Sequence, residues 1–281
     1  MVRKASVLVI SSQVVSGQVG LKAMMPGFRL LDFETITLQT TLLAAHPAAF
    51  PEMGQPVGRI VPADEILQIF DWLLRAGALD RVEAIVSGYL PSPEHVAAIG
   101  KIVTTLKAKN PEVIYCCDPI CGDNDHLYLP DTVAQGLATT LLPLADIATP
   151  NLFELQYLTG GTALASTEDV VHAARRLNVP HVVVTSAPAP EGRIATLLVN
   201  QETARCETAK APRAPHGMGD LFSALYLALR LSGEAKALGI ATGTLSAIAN
   251  ANMETQTLPH GPLALAAPAL QETLVVAQKA S

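Results

Sequence analysis

The chain of 281 residues is 49% hydrophobic but only 4% aromatic and 16% charged, which is ample apolar material for a large core. Its formal charge is -6, and it has no block of Lys or Arg, so the electrostatic footprint of a nucleic-acid binder is missing. An anionic substrate would therefore need local help from backbone amides or a metal ion.

The opening residues lead straight into Val7-Leu8-Val9-Ile10. That apolar run is too short for a signal-peptide core, and nowhere do roughly 18 uncharged apolar residues follow one another. The expectation is a cytoplasmic protein with no membrane partner. Its four cysteines, Cys116, Cys117, Cys121 and Cys206, should then be reduced thiols. Three of them cluster, but without CxxC spacing or a paired second half, which favours buried structural thiols over zinc.

Short β-rich runs alternate with longer helical ones. Strands are expected at Ser6 to Ser12, Glu34 to Gln39, Glu83 to Ser87, Glu112 to Cys117, Asp146 to Thr149 and His181 to Thr185. Helical spacing covers Ala63 to Leu74, Pro93 to Lys109, Thr132 to Leu142, Leu152 to Leu158 and Thr167 to Leu177, the last with Thr167 and Asp169 as polar caps. Arg193 to Asn200 and Glu202 to Thr208 read as a hairpin at the sheet edge. Three further helices are expected at Gly217 to Leu231, Ala235 to Met253 and Leu263 to Lys279.

This alternation predicts one α/β domain over residues 1–281, a doubly wound, mainly parallel sheet flanked by helices with a small edge hairpin. Ala44 to Pro62, rich in Pro, Gly and Ala, reads as a long loop or flap. In such sheets ligands bind beyond the carboxyl ends of the strands, so the residues just after the strands carry the interest.

Four segments stand out there. Gly217-Met218-Gly219-Asp220-Leu221-Phe222 places two glycines ahead of a long apolar helix. Glycines let the backbone approach a ligand, and the first helical turn offers unpaired N–H groups suited to a phosphate. Asp220 is either a cap complementing the helix dipole or a base for an attacking hydroxyl. In Thr149-Pro150-Asn151-Leu152-Phe153-Glu154, Asn151 and Glu154 share a face at a helix start. They are either a capping box or a pair that orients magnesium at nucleotide phosphates. Asp118, ending a strand before Pro119, is a turn residue or part of a ligand site. Ser12 to Gly20 follows the first strand, and its Gly17 and Gly20 are by themselves a weak dinucleotide signal.

Together these segments resemble the ribokinase-like superfamily and, within it, the bacterial pyridoxal kinases. The matching signatures are Ser12-Gln13-Val14-Val15 with Gly17 and Gly20, Ser87-Gly88-Tyr89-Leu90, Asp118-Pro119 with Gly122-Asp123, Thr149 to Leu155, Val182 to Ser186 and Gly217 to Phe222. They come in the family's order and span nearly the whole chain.

The resemblance implies an ATP-dependent kinase that phosphorylates the hydroxymethyl group of pyridoxal, pyridoxine or pyridoxamine in vitamin B6 salvage. Asp220 would be its base, and the amides of Gly217, Met218 and Gly219 would stabilise the transferring phosphoryl. Asp118 and Glu154, with Asn151, would handle Mg–ATP, with Thr185 and Ser186 near the nucleotide. Ser12, Val14 and Gly17 would line the vitamer site, where His46 is either the replacement for a lost polar contact or a loop histidine. A homodimer and a monovalent cation such as K+ are also implied.

The chain departs from the family pattern at Ser16, where Tyr is usual, at Leu21, where Asn is usual, and over Leu43 to Pro47, where a polar stretch is usual. These departures leave room for a kinase of a related heteroaromatic alcohol such as hydroxymethylpyrimidine, or for a non-catalytic vitamer-binding protein. His216, just ahead of the glycines, is either a part-time positive charge near the phosphates or a solvated loop residue.

Overall fold

The computed structural model describes residues 5–123, 126–252, 258–259 and 263–274. The strands are β1 (Ser6–Val14), β2 (Glu34–Leu43), β3 (Gly58–Ile60), β4 (Val82–Ser87), β5 (Ile114–Cys117), β6 (Gly122–Asp123), β7 (His126–Leu127), β8 (Ile147–Ala148), β9 (His181–Ala187), β10 (Arg193–Val199), β11 (Thr203–Ala209) and β12 (Gln271–Leu274). The helices are α1 (Leu21–Leu30), α2 (Ala63–Arg75), α3 (Pro93–Lys109), α4 (Asp131–Gly136), α5 (Leu152–Leu158), α6 (Thr167–Arg176), α7 (Met218–Leu231) and α8 (Ala237–Ala251).

Ten strands form one sheet in the order β12-β11-β10-β9-β8-β5-β4-β1-β2-β3. Strands β2, β1, β4, β5, β8 and β9 run parallel, while β3 and the β10–β11–β12 meander are antiparallel. The expected doubly wound sheet is therefore present. Its parallel strands are apolar on both faces because helices cover both. Leu8 and Ile10 face a core shared with α2, α3 and α6, while Val7 and Val9 face α1, α7 and α8. Cys117 and Cys116 divide in the same way, and all four cysteines are buried free thiols.

Several elements differ from the sequence reading. Helix α1 lies where none was expected, because Pro26 and Gly27 inside it mask its periodicity. Gly27 has a packing reason: a Cβ there would come 3.0 Å from Leu225 N of α7. The flap holds strand β3, paired with β2, and one-turn helices at Pro47–Ala49 and Pro51–Met53. Helix α6 is capped by Ser166, not Thr167, in a reciprocal box with Asp169. The helix expected over Thr132 to Leu142 ends at Gly136, widens into a π turn at Leu137–Leu141 and tightens at Leu142–Leu144 around Pro143.

The largest difference is at the C-terminal side. Instead of a helix from Leu263, residues 263–270 run extended across α8 and continue into β12, which pairs with β11. Ala269 N–H donates to Gly239 O at 2.8 Å, and Ala266 N–H to Thr244 Oγ1 at 3.1 Å. Pro268 disfavours a helix there, and Gly239 and Gly243 leave α8 bare enough for the strap to lie on it. The β10–β11 hairpin thus has β12 beyond it and is not the sheet edge. The last part of the expected helix, 275–279, lies outside the described residues.

Candidate active site

The chain winds one way from β1 to β2 and the other way from β1 to β4, so the strand order reverses at β1. The crevice beyond the carboxyl ends of β1 and β4 is the expected ligand site. There Gly88 N–H donates to Ile10 O at 2.8 Å, and Tyr89 N–H to Ser11 Oγ at 3.2 Å. The Ser12 and Ser87–Leu90 signatures are brought together.

Helix α7 enters the same place from the far end of the sequence. Its N-cap, Gly217, has a left-handed φ of 84°, and a Cβ there would fall 2.1 Å from Gln18 O. Only glycine fits on both counts, so the loop before α7 lies directly on the loop after β1. A Cβ at Gly219 would meet nothing within 4 Å, so the first turn of α7 is open on that side. The Met218 side chain packs on the core shared by α1 and α7, leaving its backbone as what it can offer a ligand.

Asp220 is buried, with 8% exposure. Its Oδ2 accepts the Gly20 N–H at 2.9 Å, and its Oδ1 is buried without a protein partner. Burial pushes this carboxyl up to about 6, against the lowering pull of the Gly20 N–H. The arrangement is a carboxylate fixed through one oxygen with the other free to take a proton.

Asp118 follows β5 and is also buried. The Ser223 hydroxyl, from the first turns of α7, donates to its Oδ2 at 2.8 Å and lies 2.8 Å from Thr149 Oγ1. Burial, and then the negative charge of Asp220, push Asp118 up to about 8, while the Ser223 and Thr149 hydroxyls pull the other way. Ser223 was not singled out in the sequence, although its position three residues after Asp220 puts both on one helical face. Gly20 was read only as part of a weak dinucleotide signal and of the family signature, and its hydrogen bond to Asp220 has no local sequence signal.

Asn151 and Glu154 do form a capping box at the start of α5. Glu154 N–H donates to Asn151 Oδ1 and Asn151 N–H to Glu154 Oε2, both at 2.8 Å. Glu154 Oε1 also accepts the Cys121 N–H at 3.1 Å, and Asn151 Nδ2 donates to Gly122 O at 2.9 Å. Burial and then the Asp118 charge hold Glu154 well above the usual carboxylate range, opposed by the surrounding N–H groups. Asp220, Asp118 and Glu154 thus form a row of carboxylates in which Asp220 raises Asp118 and Asp118 raises Glu154.

Thr185 N–H donates to Pro150 O at 3.0 Å, so the end of β9 joins the same network. Ser186 follows it, exposed, with an uncommon left-handed φ of 58°. On the vitamer side, Val14 has its side chain in the core, so only its backbone is available. Gly17 takes a positive φ of 96° in open space. Ser12 O and Oγ press on Gly20, where a Cβ would come within 2.2 Å and 2.4 Å of them. His46 stands against His216, with ring centroids 4.7 Å apart. Leu21, one of the departures from the family pattern, is a buried core residue at the start of α1.

Comparison with known proteins agrees with this geometry. Residues 60–257 match the family model for phosphomethylpyrimidine kinase. Pyridoxal kinase PdxY of Actinobacillus succinogenes is 34% identical over 241 residues, covering 82% of each chain. The pyridoxine/pyridoxal/pyridoxamine kinase of Bordetella pertussis is 34% identical over 270 residues, covering 93% of each. In fold, the chain matches pyridoxal kinase from Leishmania donovani in complex with ADP and pyridoxamine, with a TM-score of 0.87 and 23% identity over 97% of this chain and 100% of that one. By its family-model match and its curated relatives, the chain belongs to the phosphomethylpyrimidine kinase family, among ribokinase-like kinases whose members include the pyridoxal kinases.

Proposed function

We propose that this protein transfers the γ-phosphoryl group of ATP to the hydroxymethyl oxygen of pyridoxal, pyridoxine or pyridoxamine, giving the 5′-phosphate and ADP as a step of vitamin B6 salvage. The observation that carries the reading is the buried, unpartnered Oδ1 of Asp220 beside the open first turn of α7. In the reaction Asp220 Oδ1 takes the hydroxyl proton as the oxygen attacks phosphorus and the bond to ADP breaks. The amides of Gly217, Met218 and Gly219 face the charge that develops on the transferring group. Ser12, Gly17, His46 and the Val14 backbone line the vitamer side.

Asp118, Asn151, Glu154, Thr185 and Ser186 form the nucleotide side. Among the described residues no group of three or more His, Cys, Asp or Glu could hold a metal by itself. The row of mutually repelling carboxylates suits a magnesium ion that arrives on the nucleotide phosphates and keeps most of its water. Both Glu154 oxygens already accept N–H groups, so Glu154 would help hold the ion through its charge, together with Asp118. Bound magnesium would neutralise charge between the β- and γ-phosphates. Potassium belongs to the same proposal.

The protein would act as one kinase domain in the cytoplasm, as a homodimer. Support for the dimer comes from an apolar strip at the β3 end of the sheet. Met53, Val57, Ile60 and Trp72 are 77%, 85%, 54% and 63% exposed, with Phe50 and Ile69 beside them. Arg59 pairs with Glu65 at 3.6 Å, which joins β3 to the α2 stripe running through Ile69 and Trp72.

A second reading, a kinase for hydroxymethylpyrimidine, is favoured by the family model over residues 60–257. A pure vitamer-binding protein is disfavoured because it has no use for a buried base beside an anion site. The test is ATP consumption with magnesium and potassium, run in parallel on the three vitamers and on hydroxymethylpyrimidine. Turnover with a vitamer that disappears in Asp220→Ala is the expected result. Turnover with hydroxymethylpyrimidine alone selects the second reading, and ligand binding with no turnover selects the third.

A further inference from the structure

His46, placed on the vitamer side above, is paired with His216, and the proposed reaction makes no use of that pairing. His46 lies in the flap, three residues past the end of β2, and caps the one-turn helix Pro47–Ala49; His216 immediately precedes Gly217, the N-cap of α7. Their ring centroids are 4.7 Å apart and the planes 31° apart, so the flap meets the anion loop through two imidazoles. His46 Nδ1 accepts the Ala48 N–H at 3.3 Å, which assigns the hydrogen of the neutral ring to Nε2 and leaves that N–H as a donor.

Two imidazolium rings at this separation repel. Burial first, and His216 second, hold His46 below the ordinary histidine range. The nearest lysine on the β1–α1 side, Lys22, has its ammonium on Val15 O at 2.8 Å. On α7 the carboxylate of the first turn is Asp220, whose Oδ2 is held by Gly20. An anion arriving at the α7 amides would meet the histidine pair on the flap side, and its charge would offset the repulsion between the rings.

We propose that His46 and His216 together grip the phosphoryl group of the phosphorylated product, taking up a proton as it binds, and so form a second anion-binding element opposite the amides of α7. This rests on the kinase reading. His216 would be the ring that gains the proton, because His46 keeps Nδ1 engaged as an acceptor. The two rings would thereby favour a phosphorylated ligand over its alcohol.

The experiment is calorimetric titration with pyridoxine 5′-phosphate and with pyridoxine near pH 7, in two buffers of different ionisation heat. These ligands lack the aldehyde, so no imine forms with lysines. Wild type should take up protons with the phosphate ester and not with the alcohol. His216→Gln should bind the ester about tenfold more weakly, with alcohol binding unchanged and proton uptake lost. His216→Lys, which carries a fixed charge, should keep the ester affinity and still show no uptake. Equal ester affinity and uptake in His216→Gln would overturn the proposal, as would a His216→Lys variant as weak as His216→Gln, which would mean packing and not charge. Wild type that turns pyridoxine over while failing these tests loses only the histidine assignment. Wild type that binds neither ligand and consumes no ATP loses the kinase reading as well.

Discussion

The backbone N–H of Gly20 donates to Asp220 Oδ2 at 2.9 Å, joining residues 200 apart in the chain. The bond orients the carboxylate and leaves Oδ1 without a protein partner, as the proposed base requires. Asp220→Asn keeps an acceptor for Gly20 but cannot take a proton, so kcat should fall about a thousandfold with the fold intact. Gly20→Ala puts a methyl group 2.2 Å from Ser12 O at a φ of 58°. The turn must shift and the base with it, and kcat should fall about a hundredfold. Steady-state kinetics with circular dichroism on each variant check both; near-normal kcat in Asp220→Asn would remove it as the base.

Burial pushes Asp220 up to about 6, and only its ionised form accepts a proton. In the free enzyme kcat/KM should therefore rise with pH through about 6 and then level. A profile flat from pH 5 to 8 would contradict this.

Asp118, pushed up to about 8, binds a proton more tightly in the folded protein than in the unfolded chain. Such a group favours the fold at low pH and loses that contribution as pH rises toward its folded value. The ligand-free protein should lose thermal stability between pH 5 and 8. Asp118→Asn, neutral and of the same shape, should flatten that decline. Scanning calorimetry across the range decides it, and parallel slopes for the two proteins would refute the assignment.

Glu154 accepts N–H groups from Asn151 and Cys121 on separate oxygens. Glu154→Gln leaves one amide facing an NH2 group, a loss of about 1–3 kcal/mol, and removes charge beside the nucleotide. The melting temperature should drop by several degrees and the magnesium needed for half-maximal rate should rise. An unchanged magnesium titration would confine Glu154 to capping α5.

Trp72 is 63% exposed on α2, and β3, tied to that helix by the Arg59–Glu65 pair, is the edge strand of the sheet. Trp72→Glu should convert a dimer to monomers by sedimentation without lowering the melting temperature of dilute protein. A wild-type monomer at high concentration would rule out this strip as the interface.

Much of this was legible in the sequence because it is local. The strands β1, β4, β5 and β9 are short apolar runs, and α3 and α5 have the expected ends. The box of Asn151 and Glu154 follows from spacing alone. What was hidden depends on partners far along the chain. Helix α1 carries Pro26 and Gly27 and is stabilised by packing on α7, which no local propensity reports. The stretch after Leu263 has helical composition but finds its hydrogen bonds on α8 and β11. Leu21 reads as a departure from a polar family position, yet it is a core residue, so Leu21→Asn would bury an amide and not restore a contact.

The packing of α1 on α7 has a consequence for synthesis. Strands β1, β2 and β4 can pair once the first 87 residues have emerged from the ribosome. The face carrying Val7, Val9, Met24 and Phe28 must wait for α7 at Met218–Leu231. For the intervening chain length the nascent sheet presents an apolar face with nothing of its own chain to cover it. The same late helix carries Asp220, so covering that face and setting this carboxyl against Gly20 are one event in the life of the chain.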